Sequence, residues 1–357
     1  MDILCTIKIY PATIILYKIL HMKQILFNIF IFFAFYSSTY AQDTLKTPVK
    51  DTLSHSTALP ALTGPQPIPK LVKTSQALGI SQKTQAKIAL IKNPPTNIAL
   101  FAVDRRNPND LGNSDVIMII TIDQLTGKIK MSSILRDTYV NIEDKGMDKI
   151  NAAFAIGGAQ LAIKTINQNF ALDIKDYINV DFFGTAKIID ALGGVDINVK
   201  PEEIPYLNNY LKEISNIENI PMTPVASPGM QRLNGKQTVA YTRIRAVGRG
   251  DYERTERQRT VLIAMFGKLQ GAGPAIFPVF MTQILPYLET SMSNMMLFKI
   301  GGDLLNSKSK SIEQARFPLD SASKGIRVNN IWYLSTDLKA TTDAIHNFIY
   351  KNVQSSK

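Results

Sequence analysis

NIALFAVDRRNPNDLGNSDVIMIITIDQLTGKIKMSSILRD, residues 97–137, is the stretch from which the architecture follows. An apolar run at 97–103 stops at Asp104, and a polar loop leads to Asp115. A second apolar run covers 116–122, a turn 123–127, and a third run 128–134 closes a hairpin. Short runs rich in β-branched residues between turn residues read as strands. Further on, a helical stretch opens at Lys149 and stops at Gly157-Gly158. An amphipathic helix covers 159–170, a strand 177–182, a helix 184–192 and a strand 195–199, with Gly193-Gly194 as a helix terminator. Alternating strands and helices argue for a layered α/β domain. Residues 200–230, with five prolines, read as an irregular excursion. Helices are expected at 255–269, 275–288, 293–305 and 338–351, and short strands near Ala315 and Trp332. No linker interrupts the chain after Pro94, so 94–357 reads as one domain.

The N-terminal part has a different character. In residues 1–41, Lys18, His21 and Lys23 precede an apolar run at 25–36, and Thr39-Tyr40-Ala41 ends it with small and polar residues. This pattern fits a signal peptide cleaved after Ala41, or an uncleaved membrane anchor; both place the domain outside the cytoplasm. Residues 42–93, rich in Thr, Ser, Pro and Lys, read as a linker or stalk with a short helix at 75–91.

Composition narrows the chemistry. The chain has a formal charge of +11, but residues 1–93, with ten lysines and three aspartates, supply seven of those charges. The domain itself is only mildly basic, which argues against nucleic-acid binding. The single cysteine, Cys5, lies in the leader, and the histidines are His21, His55 and His346. A thiolate zinc site, a cysteine nucleophile and a Ser-His-Asp triad within the domain are thereby disfavoured. Carboxylate, arginine, lysine and hydroxyl remain, a palette suited to phosphate chemistry assisted by a hard cation.

Seven of the twelve arginines lie between Arg232 and Arg259. Arg243 and Arg245 alternate, as on one face of a strand. Arg254, Arg257 and Gln258 are spaced to share a helix face. Facing arginine forks suit a dianionic or pyrophosphate ligand. The alternative is a solvated helix with Glu253–Arg257 and Glu256–Arg259 pairs. Asp104 ends one strand and Asp115 begins the next, so neighbouring strands would bring both carboxylates to one sheet edge. Two carboxylates suit Mg2+, which takes its other ligands from water and substrate phosphates. Arg136, after the third strand, can join the arginine set from the other side.

Several stretches in register resemble the LytR–CpsA–Psr family. They are 115–119, 133–140 around Arg136-Asp137, 148–154 (DKINAAF), 191–196 (ALGGVD), 233–237 (LNGKQ), 241–245 (YTRIR) and 254–259 (RTERQR). The resemblance covers about residues 97–270. Asn113 stands where the family usually has Arg, and Leu135 where it usually has Pro. The resemblance implies an α-β-α layered sandwich with a central mixed sheet and an apolar polyprenyl pocket. It implies an enzyme of the cell envelope that transfers a glycopolymer from undecaprenyl pyrophosphate to peptidoglycan. By position, Asp104 and Asp115 would hold Mg2+. Arg136, Arg243, Arg245, Arg254 and Gln258 would bind the pyrophosphate, with Lys149 and Arg257 near, while Asp137 would orient Arg136 or assist the metal. A non-catalytic binder of polyprenyl-phosphate lipids, using the same arginines without metal, is the alternative.

Overall fold

A computed structural model describes residues 70–105, 110–248, 250–305 and 312–350. The leader and the stretch up to residue 69 lie outside the described residues. The chain forms helix α1 (Gln82–Ala89), then strands β1 (Thr96–Asp104), β2 (Asn113–Ile122) and β3 (Ile129–Ile134). A small hairpin follows, β4 (Tyr139–Ile142) and β5 (Gly146–Lys149), then helix α2 (Ala152–Phe170), bent at Gly157 and Gly158. Strand β6 (Asp176–Asp181), helix α3 (Phe182–Ala191) and strand β7 (Val195–Val199) lead to helix α4 (Ile204–Glu218). Strand β8 (Gly229–Leu233), helix α5 (Gly235–Thr242) and the long helix α6 (Asp251–Ala272) complete the arginine-rich part. Strand β9 (Glu289–Thr290), helix α7 (Asn294–Leu305), strands β10 (Ile312–Phe317), β11 (Ser323–Val328) and β12 (Ile331–Thr336), and helix α8 (Leu338–Tyr350) close the domain.

The central sheet has the order β10-β3-β2-β1-β6-β9. It is mixed: β1 pairs antiparallel with β2 and parallel with β6, while β10 runs parallel to β3. Its two faces are covered differently. On one, Ala99, Phe101 and Val103 of β1 and Ile117 and Ile119 of β2 are fully buried in a core shared with α2 and α8. On the other, Ile98 and Ile122 are buried beneath α7. Leu100, Ala102, Val116, Ile120, Ile178 and Val180 are only half-buried, although their strands are central. Helices on both sides of a mixed sheet give the expected α-β-α layering.

Several expectations need correction. Leu78 and Ile80 belong to the main core, so the packed domain begins inside the stretch read as a stalk to residue 93. Residues 204–218 are a helix, not an irregular excursion. Pro205 sits in its first turn, where a missing N–H costs nothing, and Leu207, Leu211 and Ser215 repeat every four residues to form its buried face. The helix expected at 275–288 is instead a series of short 3-10, α and π turns, since Pro278 and Pro286 remove donors a continuous helix needs. Arg243 and Arg245 are not on a strand. Asn234 caps α5 by accepting from the Gln237 amide at 2.9 Å, and Gln237 Oε1 accepts from the Asn234 amide at 3.0 Å. This capping box propagates a helix through Thr242, and its signal overrides the two-residue alternation further on.

Two contacts hold the second core of β7, β8, α4 and α5. A Cβ added at Gly235 would lie 2.0 Å from the Ala186 carbonyl, so glycine is what lets α5 meet α3. Glu203 and Arg257 form a buried ion pair at 2.7 Å. Arg257 also donates to the carbonyls of Ile244 (3.0 Å) and Val247 (3.3 Å), and Glu203 accepts from the Lys200 amide. Removing one member of such a pair strands the other charge, at about 3–5 kcal/mol. Urea denaturation of Arg257→Met should show a loss of that order; a loss below about 1 kcal/mol would mean that the pair is dispensable. Gly235→Ala should lose roughly 1–3 kcal/mol through overpacking, measured the same way.

Candidate functional site

Asp115 sits at an irregularity in the β1–β2 ladder. Ala102 pairs with Val116 and Val103 with Ser114, which leaves Asp115 as the extra residue of a β-bulge. Bulges re-aim a side chain, and here the carboxylate meets two guanidiniums. Arg136 Nη1 donates to Asp115 Oδ1 at 2.6 Å, and Arg254 Nη2 donates to Oδ2 at 2.8 Å. Burial works to raise the Asp115 pKa, but the Arg254 and Arg136 guanidiniums outweigh it and hold the carboxylate below its ordinary value.

The turn carrying Arg136 and Asp137 is fixed from three sides. Leu135 donates its amide to the Phe317 carbonyl of β10 at 2.8 Å, a bond that a proline at this position could not make. The Asn151 amide, at the start of α2, donates to the Arg136 carbonyl, and the Leu334 amide of β12 to the Asp137 carbonyl. Asp137 pairs with Lys149 at 2.6 Å and with Arg136 Nε at 3.5 Å. Lys149, Asp137, Arg136, Asp115 and Arg254 therefore form a ladder of alternating charge. The ladder ends at Arg254 in the first turn of α6, where the helix dipole favours an anion.

Asp115, Arg136, Asp137, Arg254 and Gln258 line one cleft together with Tyr252, Trp332 and the apolar Val116, Met118, Ile134 and Leu334. With these ion pairs made, the enclosed space is about 30 Å³. Asp104 lies at the same end of β1, paired with Asn113. Two carboxylates at one sheet edge fit Mg2+, and each Asp115 oxygen keeps a lone-pair direction beyond its guanidinium contact. No group of three or more acidic, His or Cys side chains suited to a metal occurs among the described residues.

Three sequence candidates lie apart from the ladder. Arg257 is committed to Glu203 and two carbonyls, although it shares α6 with Arg254. Arg243 turns toward α4, 3.2 Å from Glu213 and 4.9 Å above the Tyr210 ring. Arg245 is exposed on the segment between α5 and α6. Sequence reasoning missed Tyr252 and Trp332 as cleft residues. A signal for Trp332 was present: Asn329-Asn330 between two short runs is a type I′ hairpin pair, and both residues have positive φ, 49° and 64°.

The model described as "LytR_cpsA_psr family" matches residues 67–347. The polyisoprenyl-teichoic acid–peptidoglycan teichoic acid transferase TagU of Bacillus mycoides (strain KBAB4) is 33% identical over 256 residues, 70% of this chain and 75% of that protein. Among solved structures, TagV of B. subtilis aligns with a TM-score of 0.58 at 24% identity, covering 72% of this chain and 98% of that one. YwtF (TagT), also of B. subtilis, with bound octaprenyl pyrophosphate lipid, aligns with a TM-score of 0.54 at 21% identity, covering 72% and 90%. Both likenesses concern the fold. Because one family model spans the central sheet, the bulged carboxylate and the arginine-bearing helix together, this chain belongs to the LytR_cpsA_psr family.

Proposed function

We propose that the protein transfers an anionic glycopolymer from an undecaprenyl-pyrophosphate carrier to peptidoglycan. The observation that carries this reading is Asp115 holding Arg136 and Arg254, one on each oxygen, next to an incompletely covered apolar sheet face. The guanidiniums supply a pyrophosphate site, and the half-buried Leu100, Val116 and Ile120 supply a floor for a prenyl chain. The activity named for TagU and the lipid bound to TagT support the same assignment.

In the proposed reaction a sugar hydroxyl of peptidoglycan attacks the phosphorus that bears the polymer. A new P–O bond forms, the P–O bond to the polyprenyl phosphate breaks, and polyprenyl monophosphate leaves. The hydroxyl proton passes to a carboxylate of the site or to water. Charge building on the equatorial and leaving oxygens is met by Arg136 and Arg254, already aimed by Asp115. Asp115 is a poor base because its carboxylate is held below the usual range; it orients the two arginines. Asp137 orients Arg136 and Lys149, and Gln258 adds a neutral donor. Asp104 and Asp115 would hold Mg2+, which when bound neutralises phosphate oxygens. Arg243 and Arg245 enter as ligand groups at the rim. The Glu213 partner of Arg243 is 46% exposed, and a surface pair of this kind, worth under about 1 kcal/mol, exchanges readily for phosphate. The leader pattern and a peptidoglycan acceptor both favour the outer face of the plasma membrane, with the domain anchored or secreted. Among the described residues no helix is long and apolar enough to cross a membrane.

Transfer by the purified protein, with a lipid-linked polymer as donor and peptidoglycan fragments as acceptor, tests the reading. Arg254→Ala should lower the rate about 10²–10³-fold, as when one preorganised donor is removed. Chelation should abolish turnover and Mg2+ restore it; lipid binding without turnover under any metal condition would instead favour a non-catalytic carrier-binding protein. Arg243→Ala should lose transfer while Glu213→Ala keeps it; equal losses would assign Arg243 to holding α4. The acid limb of stability follows from Asp115. Its folded pKa lies below the unfolded value of 3.8, so its contribution is full above that value and lost as pH falls through the folded one. Urea denaturation of Asp115→Asn between about pH 5 and pH 1 should show a flatter acid loss than wild type.

A further inference from the structure

Trp332 is the only tryptophan of the chain, and it is 42% exposed although it lines the same cleft as Arg136, Asp137 and Arg254. Its placement is specific. Along β12, Tyr333 points to the opposite face, is buried, and packs on Tyr139 with ring centroids 4.6 Å apart. Trp332 and Leu334 share the cleft side, where Leu334 pairs with Gly325 of β11. A Cβ built at Gly325 would lie 2.9 Å from Trp332 Nε1 and 3.4 Å from Cε2, so the absence of a side chain there is what lets the indole rest against the hairpin. The hairpin is tied to the catalytic turn by the Leu334 amide on the Asp137 carbonyl, 2.9 Å. A second aromatic, Tyr252, lines the same cleft from the first turn of α6. The Arg316 guanidinium lies 4.0 Å over its ring, and Asp320 holds Arg316 at 2.7 Å.

A cleft with guanidiniums at its centre and two braced aromatics in its wall suits a ligand with a phosphate next to a flat, polarised C–H surface. A pyranose ring has that surface: its axial C–H bonds pack on the negative face of an aromatic ring, while its hydroxyls stay at the polar rim. A bare prenyl pyrophosphate has no such group at its head. We propose that Trp332 is a sugar-binding residue of this cleft, stacking on the glycan ring nearest the reacting phosphate, with Tyr252 as its partner. This rests on the transferase reading and assigns the residue that senses the sugar within it. The ring can belong to the donor polymer or to the peptidoglycan acceptor, and the chemistry of the contact is the same.

The single tryptophan makes the test direct. Emission of the wild-type protein is followed while it is titrated with octaprenyl pyrophosphate, octaprenyl-pyrophosphoryl N-acetylglucosamine, and a peptidoglycan disaccharide added over the bare lipid; uridine diphosphate is the control for base stacking. A sugar-bearing ligand should shift or quench the emission and the bare lipid should not. A response to the sugar-linked lipid assigns the donor ring, and a response to the disaccharide assigns the acceptor ring. By calorimetry, Trp332→Ala should weaken the responding sugar ligand about three- to tenfold and leave the bare lipid unchanged, while Trp332→Phe keeps most of the affinity. Equal weakening of bare and sugar-linked lipid, no emission change with either sugar, or a response to uridine diphosphate alone would overturn the platform and leave the transferase reading standing. Failure of the wild-type protein to bind any polyprenyl pyrophosphate would overturn both.

Discussion

The site depends on one half-buried carboxylate that two distant guanidiniums share. Asp115 takes Arg136 on one oxygen and Arg254 on the other, and these arginines are 118 residues apart in the chain. Neither guanidinium would stay in this partly dry cleft without a countercharge. The carboxylate fixes their separation before any ligand arrives, and preorganised charge of this kind needs no reorganisation during reaction. The bulge is what makes the arrangement possible. A regular ladder would pair Asp115 with a β1 residue, whereas the extra residue frees its side chain to turn to both arginines.

The long helix α6 serves two purposes through residues three positions apart. Arg257 is spent on Glu203 and the carbonyls of Ile244 and Val247, and so fastens the helix to the smaller core. Arg259 reaches Gln314 of β10 at 3.2 Å and steadies it against the central sheet. Arg254, between those anchors and the helix start, is aimed at Asp115. The sheet is divided in the same way. One face is closed by α2 and α8, while the other keeps a half-covered apolar strip beside the charged cleft. A head group that is anionic and a tail that is apolar would find both requirements met along one strand, β2.

Much of this was legible in the residues. The strands around 97–134, the alternation to Val199 and the helix with Arg254 and Gln258 follow from local periodicity, which tertiary packing did not override. Asp104 and Asp115 at one sheet edge follow from strand adjacency. What failed had specific causes. Arg243 and Arg245 looked like one face of a strand, but Arg-Ile-Arg is too short to define a period, and the Asn234 cap nine residues earlier starts a helix that ends at Thr242 and leaves both in the segment beyond it. Helical spacing puts Arg257 near Arg254, but the partner it takes in the fold, Glu203, is 54 residues away and invisible to local pattern. Prolines hid α4 because their cost depends on position within a helix. Trp332 enters the cleft only through long-range attachment of its hairpin to the Asp137 turn.

The most direct test of the shared-carboxylate account is a crystal structure of this protein with octaprenyl pyrophosphate. The account predicts pyrophosphate oxygens within hydrogen-bonding distance of both Arg136 and Arg254, with the prenyl chain lying along Leu100, Val116 and Ile120. A lipid bound elsewhere, with both guanidiniums still closed on Asp115, would contradict it.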